Sequence, residues 1–100
     1  MIELYELRQL AAFAEAGTLS EAAEVLHLSQ PALSRNMKKL EEDLGIPLFE
    51  RSKNKLELNK NGEYALELAR KLLDDADSFI TRVRDFDRRS RTITLGICAP

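Results

Sequence analysis

Gln30, Ser34 and Arg35 lie within a span of six residues, and Lys38 and Lys39 follow one helical turn later. An amide can pair with the edge of adenine, a guanidinium can fork onto guanine or grip phosphate, and a small hydroxyl suits either. No acid interrupts residues 29–39. A second acid-free cluster, Arg51, Lys53 and Lys55, falls at residues 51–55. The chemistry available to these two clusters is recognition of hydrogen-bonding edges and phosphates, without bond making.

Catalytic arrangements lack parts. Ser34 has no base nearby, His27 has no acid at a useful spacing, and there is no glycine-rich phosphate loop. His27 reads as a surface residue at a helix end and Cys98 as a small apolar strand residue. One cysteine and one histidine exclude an intrachain disulfide framework and an ordinary structural zinc site, so neither metal nor cofactor is expected. The 100 residues, 44% hydrophobic, 32% charged and 6% aromatic, suffice for one small domain with an appendage, not for an enclosed catalytic cavity. No apolar run approaches the roughly 20 residues that cross a bilayer, and the acidic start, Met1–Ile2–Glu3, lacks the regions of a signal peptide. A cytoplasmic protein with no membrane partner is expected.

Net charge is −2, but it is unevenly distributed. Residues 1–28 hold one base and five acids, residues 29–60 seven bases and five acids, and residues 61–100 seven of each. Two cationic patches therefore sit within an acidic chain.

The elements that must position those patches are mostly helices. Leu4, Leu7, Ala11 and Ala14 recur on one helical face, and Gly17 stops a first helix that runs from about Leu4 to Ala16. Ser20 is read as the N-cap of a short second helix that carries Ala22, Ala23 and Leu26 and finishes near Leu28. Ser29 caps a third helix, with Pro31 in its first turn and Gly45 as its stop after Leu44. Leu48, Phe49, Leu56 and Leu58 flank Ser52–Lys55, which predicts a small hairpin with a basic tip. Asn59 caps a long fourth helix. On it Ala65, Ala69, Leu72, Ala76, Phe79, Val83 and Phe86 form a heptad seam, widened by Leu66, Leu73 and Ile80. That helix is about 40 Å long at 1.5 Å per residue. Alternation over Thr92–Ile97 predicts a strand, and a lone strand with no partner suggests the start of another domain.

At 100° per residue, Leu33, Met37, Leu40 and Leu44 of the third helix share a sector about 60° wide, leaving Pro31, Ser34, Arg35, Lys38 and Glu42 on the other side. One side is core and the other is free. Helices two and three with the turn at Leu28–Ser29 read as a helix-turn-helix whose second helix enters a DNA major groove, and the hairpin reads as a wing on flanking backbone or minor groove. Ser20 and Ser29, at the starts of the two helices, join Gln30, Pro31, Ser34, Arg35, Lys38 and Lys39 and the wing residues Arg51, Lys53 and Lys55 as the candidate contact set.

The stretch Leu19–Arg35, with Ser-Gln-Pro-Ala-Leu-Ser-Arg at 29–35, followed by Leu-Gly-Ile-Pro-Leu-Phe-Glu-Arg at 44–51, resembles the DNA-binding half of LysR-type transcriptional regulators. The resemblance covers nearly the whole chain. It implies a mainly α winged helix-turn-helix over residues 1–59, with a three-helix core and a β-hairpin wing, then a linker helix over 60–90. Residues 91–100 would be the first strand of an effector-binding domain. It implies that Gln30, Pro31, Ser34 and Arg35 face the groove with Arg51 in the wing. It further implies a homodimer on an inverted repeat of double-stranded DNA, paired through Ala65, Ala69, Leu72, Leu73, Ala76, Phe79, Ile80, Val83 and Phe86, with any small-molecule effector bound elsewhere. Family members usually carry Leu-Thr before the linker helix; here Leu58 is followed by Asn59, which caps about as well. The alternative is a winged-helix module for protein contacts, its cations meeting an acidic partner. Salt dependence and sequence selectivity separate the two.

Overall fold

The computed structural model describes the backbone of residues 1–98 and the side chains of residues 1–91. Its elements run α1 (Leu4–Ala16), α2 (Leu19–Leu26), α3 (Gln30–Leu44), β1 (Phe49–Ser52), β2 (Lys55–Leu58) and α4 (Lys60–Cys98). A mainly helical winged helix-turn-helix with a long C-terminal helix is what the pattern predicts.

Local chemistry explains most of the boundaries. The Glu6 carboxylate accepts the Glu3 N–H at 2.8 Å at the start of α1, and Gly17 ends that helix with φ at 88°. Thr18, not Ser20, caps α2: its hydroxyl accepts the Glu21 N–H at 3.1 Å, and Ser20 lies inside the first turn. The second helix also ends earlier than expected, at Leu26, because His27 takes a left-handed conformation with φ at 58°. Ser29 accepts the Ala32 N–H at 3.2 Å and Gly45 closes α3 with φ at 75°.

Leu10, Leu33, Met37, Leu40 and Leu48 are fully buried, joined by Leu7, Phe13, Ala22, Ala23 and Ala69. The two small alanines let α2 approach its neighbours closely. Two expectations of the core fail here. In α1 the buried set is Glu6, Leu7, Gln9, Leu10 and Phe13, while Leu4 is half exposed and Ala11 and Ala14 are partly exposed. The first helix is packed against α2, α3 and α4, so its burial is set by three neighbours and not by one stripe. Leu44 is exposed too, in the last turn of α3 at an open apolar cleft that it shares with Leu4 and Leu68.

Strands β1 and β2 pair antiparallel from Phe49↔Leu58 to Ser52↔Lys55. Lys53 and Asn54 form the tip with φ of 50° and 63°, the positive values a type I′ hairpin turn needs at both central residues. The wing is fastened at its base. Glu41 Oε2 accepts the N–H groups of Leu48 (2.7 Å) and Phe49 (3.2 Å), and the Phe49 ring meets Phe13 edge-on at 5.5 Å. Asn59 holds the other side, donating to the Pro47 carbonyl at 3.1 Å and accepting the Gly62 N–H at 2.8 Å as the cap of α4. A Cβ on Gly62 would collide with the Leu48 carbonyl, so this approach requires glycine.

Near its start α4 packs Ala65, Leu66, Ala69 and Leu73 onto the head. Between Phe79 and Phe86 its large apolar residues are exposed. Helix also covers residues 92–97, for which alternation predicts a strand. A strand without a partner leaves its backbone groups unpaired, whereas a helix pairs them internally. The Cys98 side chain lies outside the described residues.

Candidate nucleic-acid interface

The outward side of α3 begins at its N-terminus. Gln30, Pro31, Arg35 and Lys38 are exposed and Ser34 is partly so, while Leu33, Met37 and Leu40 point into the core. The amphipathic split predicted from the 100° helical spacing therefore holds over the first three turns. Because the first N–H groups of a helix lack intrahelical acceptors, this end also carries a partial positive charge.

The wing lies beside this helix. Ser34, Lys38, Glu41 and Arg51 border a groove of about 240 Å³ floored by Met37, Phe49 and Leu56. A second cleft, of about 190 Å³, brings Ser20 and Thr18 at the start of α2 together with Gln30, Arg51, Asn54 and Lys55. Arg51 borders both. Residues from three separated segments thus meet along one surface, and Lys53 stands exposed at the tip of the wing. Among the described residues, none of Arg35, Lys38, Arg51, Lys53 and Lys55 is engaged in an ion pair. Uncompensated cations beside an amide and hydroxyls can neutralise phosphates and read base edges.

Two members of the expected set differ in placement. Ser29 uses its hydroxyl oxygen as a cap acceptor. Lys39 turns away from the free side, 3.1 Å from Asp43 Oδ2 and 3.6 Å from Glu6 Oε1. The hydrogen bond it donates to Asp43, followed by the charges of Asp43 and Glu6, raises its pKa above the usual 10.5. It stays cationic throughout the neutral range, and its ion-pair contribution fades only as alkaline pH passes through that raised value.

Sequence reasoning missed three contributors. Thr18 has a visible signal, since Thr18-Leu19-Ser20-Glu21 fits a capping-box pattern. Asn54 reaches the cleft only because of the wing's register. Glu41, which anchors the wing, has no local signature at all.

Several candidate pairing residues on α4 form an exposed stripe: Leu72 (52% exposed), Phe79 (68%), Ile80 (43%), Val83 (53%) and Phe86 (69%). Ala69 is instead buried in the head, with Ala65 and Leu73 packed against the same core. No helix among the described residues is long and apolar enough to cross a membrane.

Residues 4–63 match the model of the bacterial regulatory helix-turn-helix protein, lysR family. The chain is 37% identical over 98 residues to the uncharacterized HTH-type transcriptional regulator YbhD of Escherichia coli K12, covering 98% of this chain and 31% of that protein. It is 39% identical over 95 residues to the Hca operon transcriptional activator HcaR of the same organism, covering 95% and 32%. It therefore spans about a third of the length of these relatives. Among solved structures, the complex of the CbnR DNA-binding domain with DNA superposes with a TM-score of 0.80 at 43% identity, covering 84% of this chain and 97% of that one. The complex of the BenM DNA-binding domain with benA site 1 DNA gives 0.80 at 34% identity, covering 85% and 99%. By matched sequence, fold and the arrangement of its third helix and wing, this chain belongs to the lysR family of bacterial regulatory helix-turn-helix proteins.

Proposed function

We propose that this chain binds a specific sequence of double-stranded DNA as a dimer. The first turns of α3 enter the major groove, the wing covers flanking backbone or minor groove, and paired α4 helices set the separation of the half-sites of an inverted repeat. Residues 1–59 are the reading head, 60–90 the pairing helix, and 91–100 the approach to an effector-binding domain. Gln30 and Arg35 discriminate bases, while Ser20, Ser34, Lys38 and the wing cations hold register on phosphates. The work is positioning, not catalysis, in a cytoplasmic regulator.

One observation carries this reading: Gln30 and Ser34 lie among cations without ion-pair partners, on a surface shared by α3 and the wing. The likeness to the DNA-bound CbnR and BenM domains supports it. Pairing through α4 is supported by the exposed stripe and by the charge order along the helix. Residues 74–77 carry three acids, and residues 82–91 carry five arginines against two acids, so an antiparallel second copy sets a net negative stretch against a net positive one and a parallel copy sets like against like. Selection of bound duplexes from a random pool tests nucleic-acid binding, palindromy and spacing together. Enrichment of one inverted repeat is expected, with affinity falling along a log–log line in salt of slope about −6. Recovery of no preferred duplex, or affinity indifferent to salt, would overturn the proposal.

A further inference from the structure

Lys38 and Lys39 are neighbours in sequence, yet the helix directs them about 100° apart. Lys38 borders the groove beside the wing. Lys39 reaches back across α3 to two carboxylates. One, Asp43, lies a turn along the same helix at 3.1 Å; the other, Glu6 on α1, is at 3.6 Å. The Glu6 side chain is wholly buried. Its Oε1 also accepts the Glu3 N–H, and its Oε2 has no hydrogen-bond partner. The neighbouring buried Gln9 likewise has an unpartnered Oε1.

A buried carboxylate is costly unless a cation or several donors compensate it. Among the described residues, Lys39 is the cation the structure places within ion-pair distance of Glu6. We infer that Lys39 is a positioning residue, not a phosphate contact: held between Asp43 and the buried Glu6, it fastens the back of α3 to the capped start of α1. Glu6 thus performs two tasks, closing the first turn of α1 and tethering the reading helix. The tether sets the tilt at which Gln30, Arg35 and Lys38 are presented. A cation already shared by two carboxylates has little charge left to exchange for counterions along DNA.

This inference rests on the proposed duplex reading for its binding arm and on stability alone for the other. The test compares wild type, Lys38→Met, Lys39→Met, Lys39→Arg and the double variant Glu6→Gln/Lys39→Met, using thermal unfolding and salt-dependent binding to the duplex selected from the random pool. Loss of one phosphate contact per subunit lowers the salt slope of a dimer by about 1.8, so Lys38→Met should show that change with Tm unmoved. Lys39→Met should keep the wild-type slope, lower Tm, and narrow the preference for the selected duplex over a scrambled one. Lys39→Arg should restore that preference, and the double variant should regain Tm because no buried charge is left uncompensated. A slope reduced as much by Lys39→Met as by Lys38→Met, with Tm unchanged, would overturn the inference. Should wild type bind no duplex, the duplex reading fails by itself, and the loss of Tm with its recovery in the double variant still decides whether the tether exists.

Discussion

The head and the far half of α4 contain similar apolar residue types and treat them in opposite ways. In the head, Leu10, Leu33, Met37, Leu40 and Leu48 are sealed inside by their own chain. Along α4, Phe79, Ile80, Val83 and Phe86 repeat with helical spacing and remain in solvent. A head whose core is closed by its own chain can keep its shape while it meets a ligand. A helix that does not satisfy itself is suited to another surface. The first region's hydrophobicity builds the fold, and the second's is proposed to build the assembly.

That contrast can be broken by substitution, and the largest effect should come from the head. Leu10→Ala removes a fully buried side chain where three helices converge, and should cost about 2–5 kcal/mol in urea unfolding. A value near zero would mean the core is looser than its burial implies. Phe79→Asp, placed in the exposed stripe, should leave the head folded and weaken self-association by about 100-fold, roughly 2.7 kcal/mol. Sedimentation that finds an unchanged dimer would move the pairing surface elsewhere.

Smaller effects sharpen the contrast inside the head, between residues that hold it together and residues it presents. Arg35→Ala should weaken binding to the selected duplex by about 1–3 kcal/mol and relax its specificity, with Tm unchanged. Equal losses on selected and random DNA would remove Arg35 from base reading. Thr18→Ala should cost about 1 kcal/mol through the lost cap of α2, whereas Ser20→Ala should change stability by less than about 0.5 kcal/mol. Thermal unfolding of the pair separates the two serine-like positions directly, and a reversed order would restore Ser20 as the cap.

Much of the fold was legible because its signals are local. Gly17, Ser29, Gly45 and Asn59 punctuate the helices where a cap or a left-handed residue is needed, and each acts over three or four residues. The wing is legible for the same reason, with alternating apolar residues around a polar tip. The cap of α2 was misread although Thr18 and Glu21 have the right spacing, because Ser20 is an equally good cap residue two positions away. Leu4 and Leu44 were misplaced for a different reason. Periodicity identifies a side of a helix, but the packed neighbours decide how far along that side burial extends.

The sequence by itself determines which amide, hydroxyl and cationic groups are available and that Gln30, Ser34 and Arg35 share the early turns of one helix, since helical spacing is a property of the backbone. Only the tertiary structure decides that Arg51 and Asn54 come beside Gln30, that Gly62 must pass the Leu48 carbonyl, and that Lys39 belongs to Glu6 instead of to the outward row. Those pairings join residues distant in the chain. Their energies depend on burial and direction, which exist only after the helices have packed.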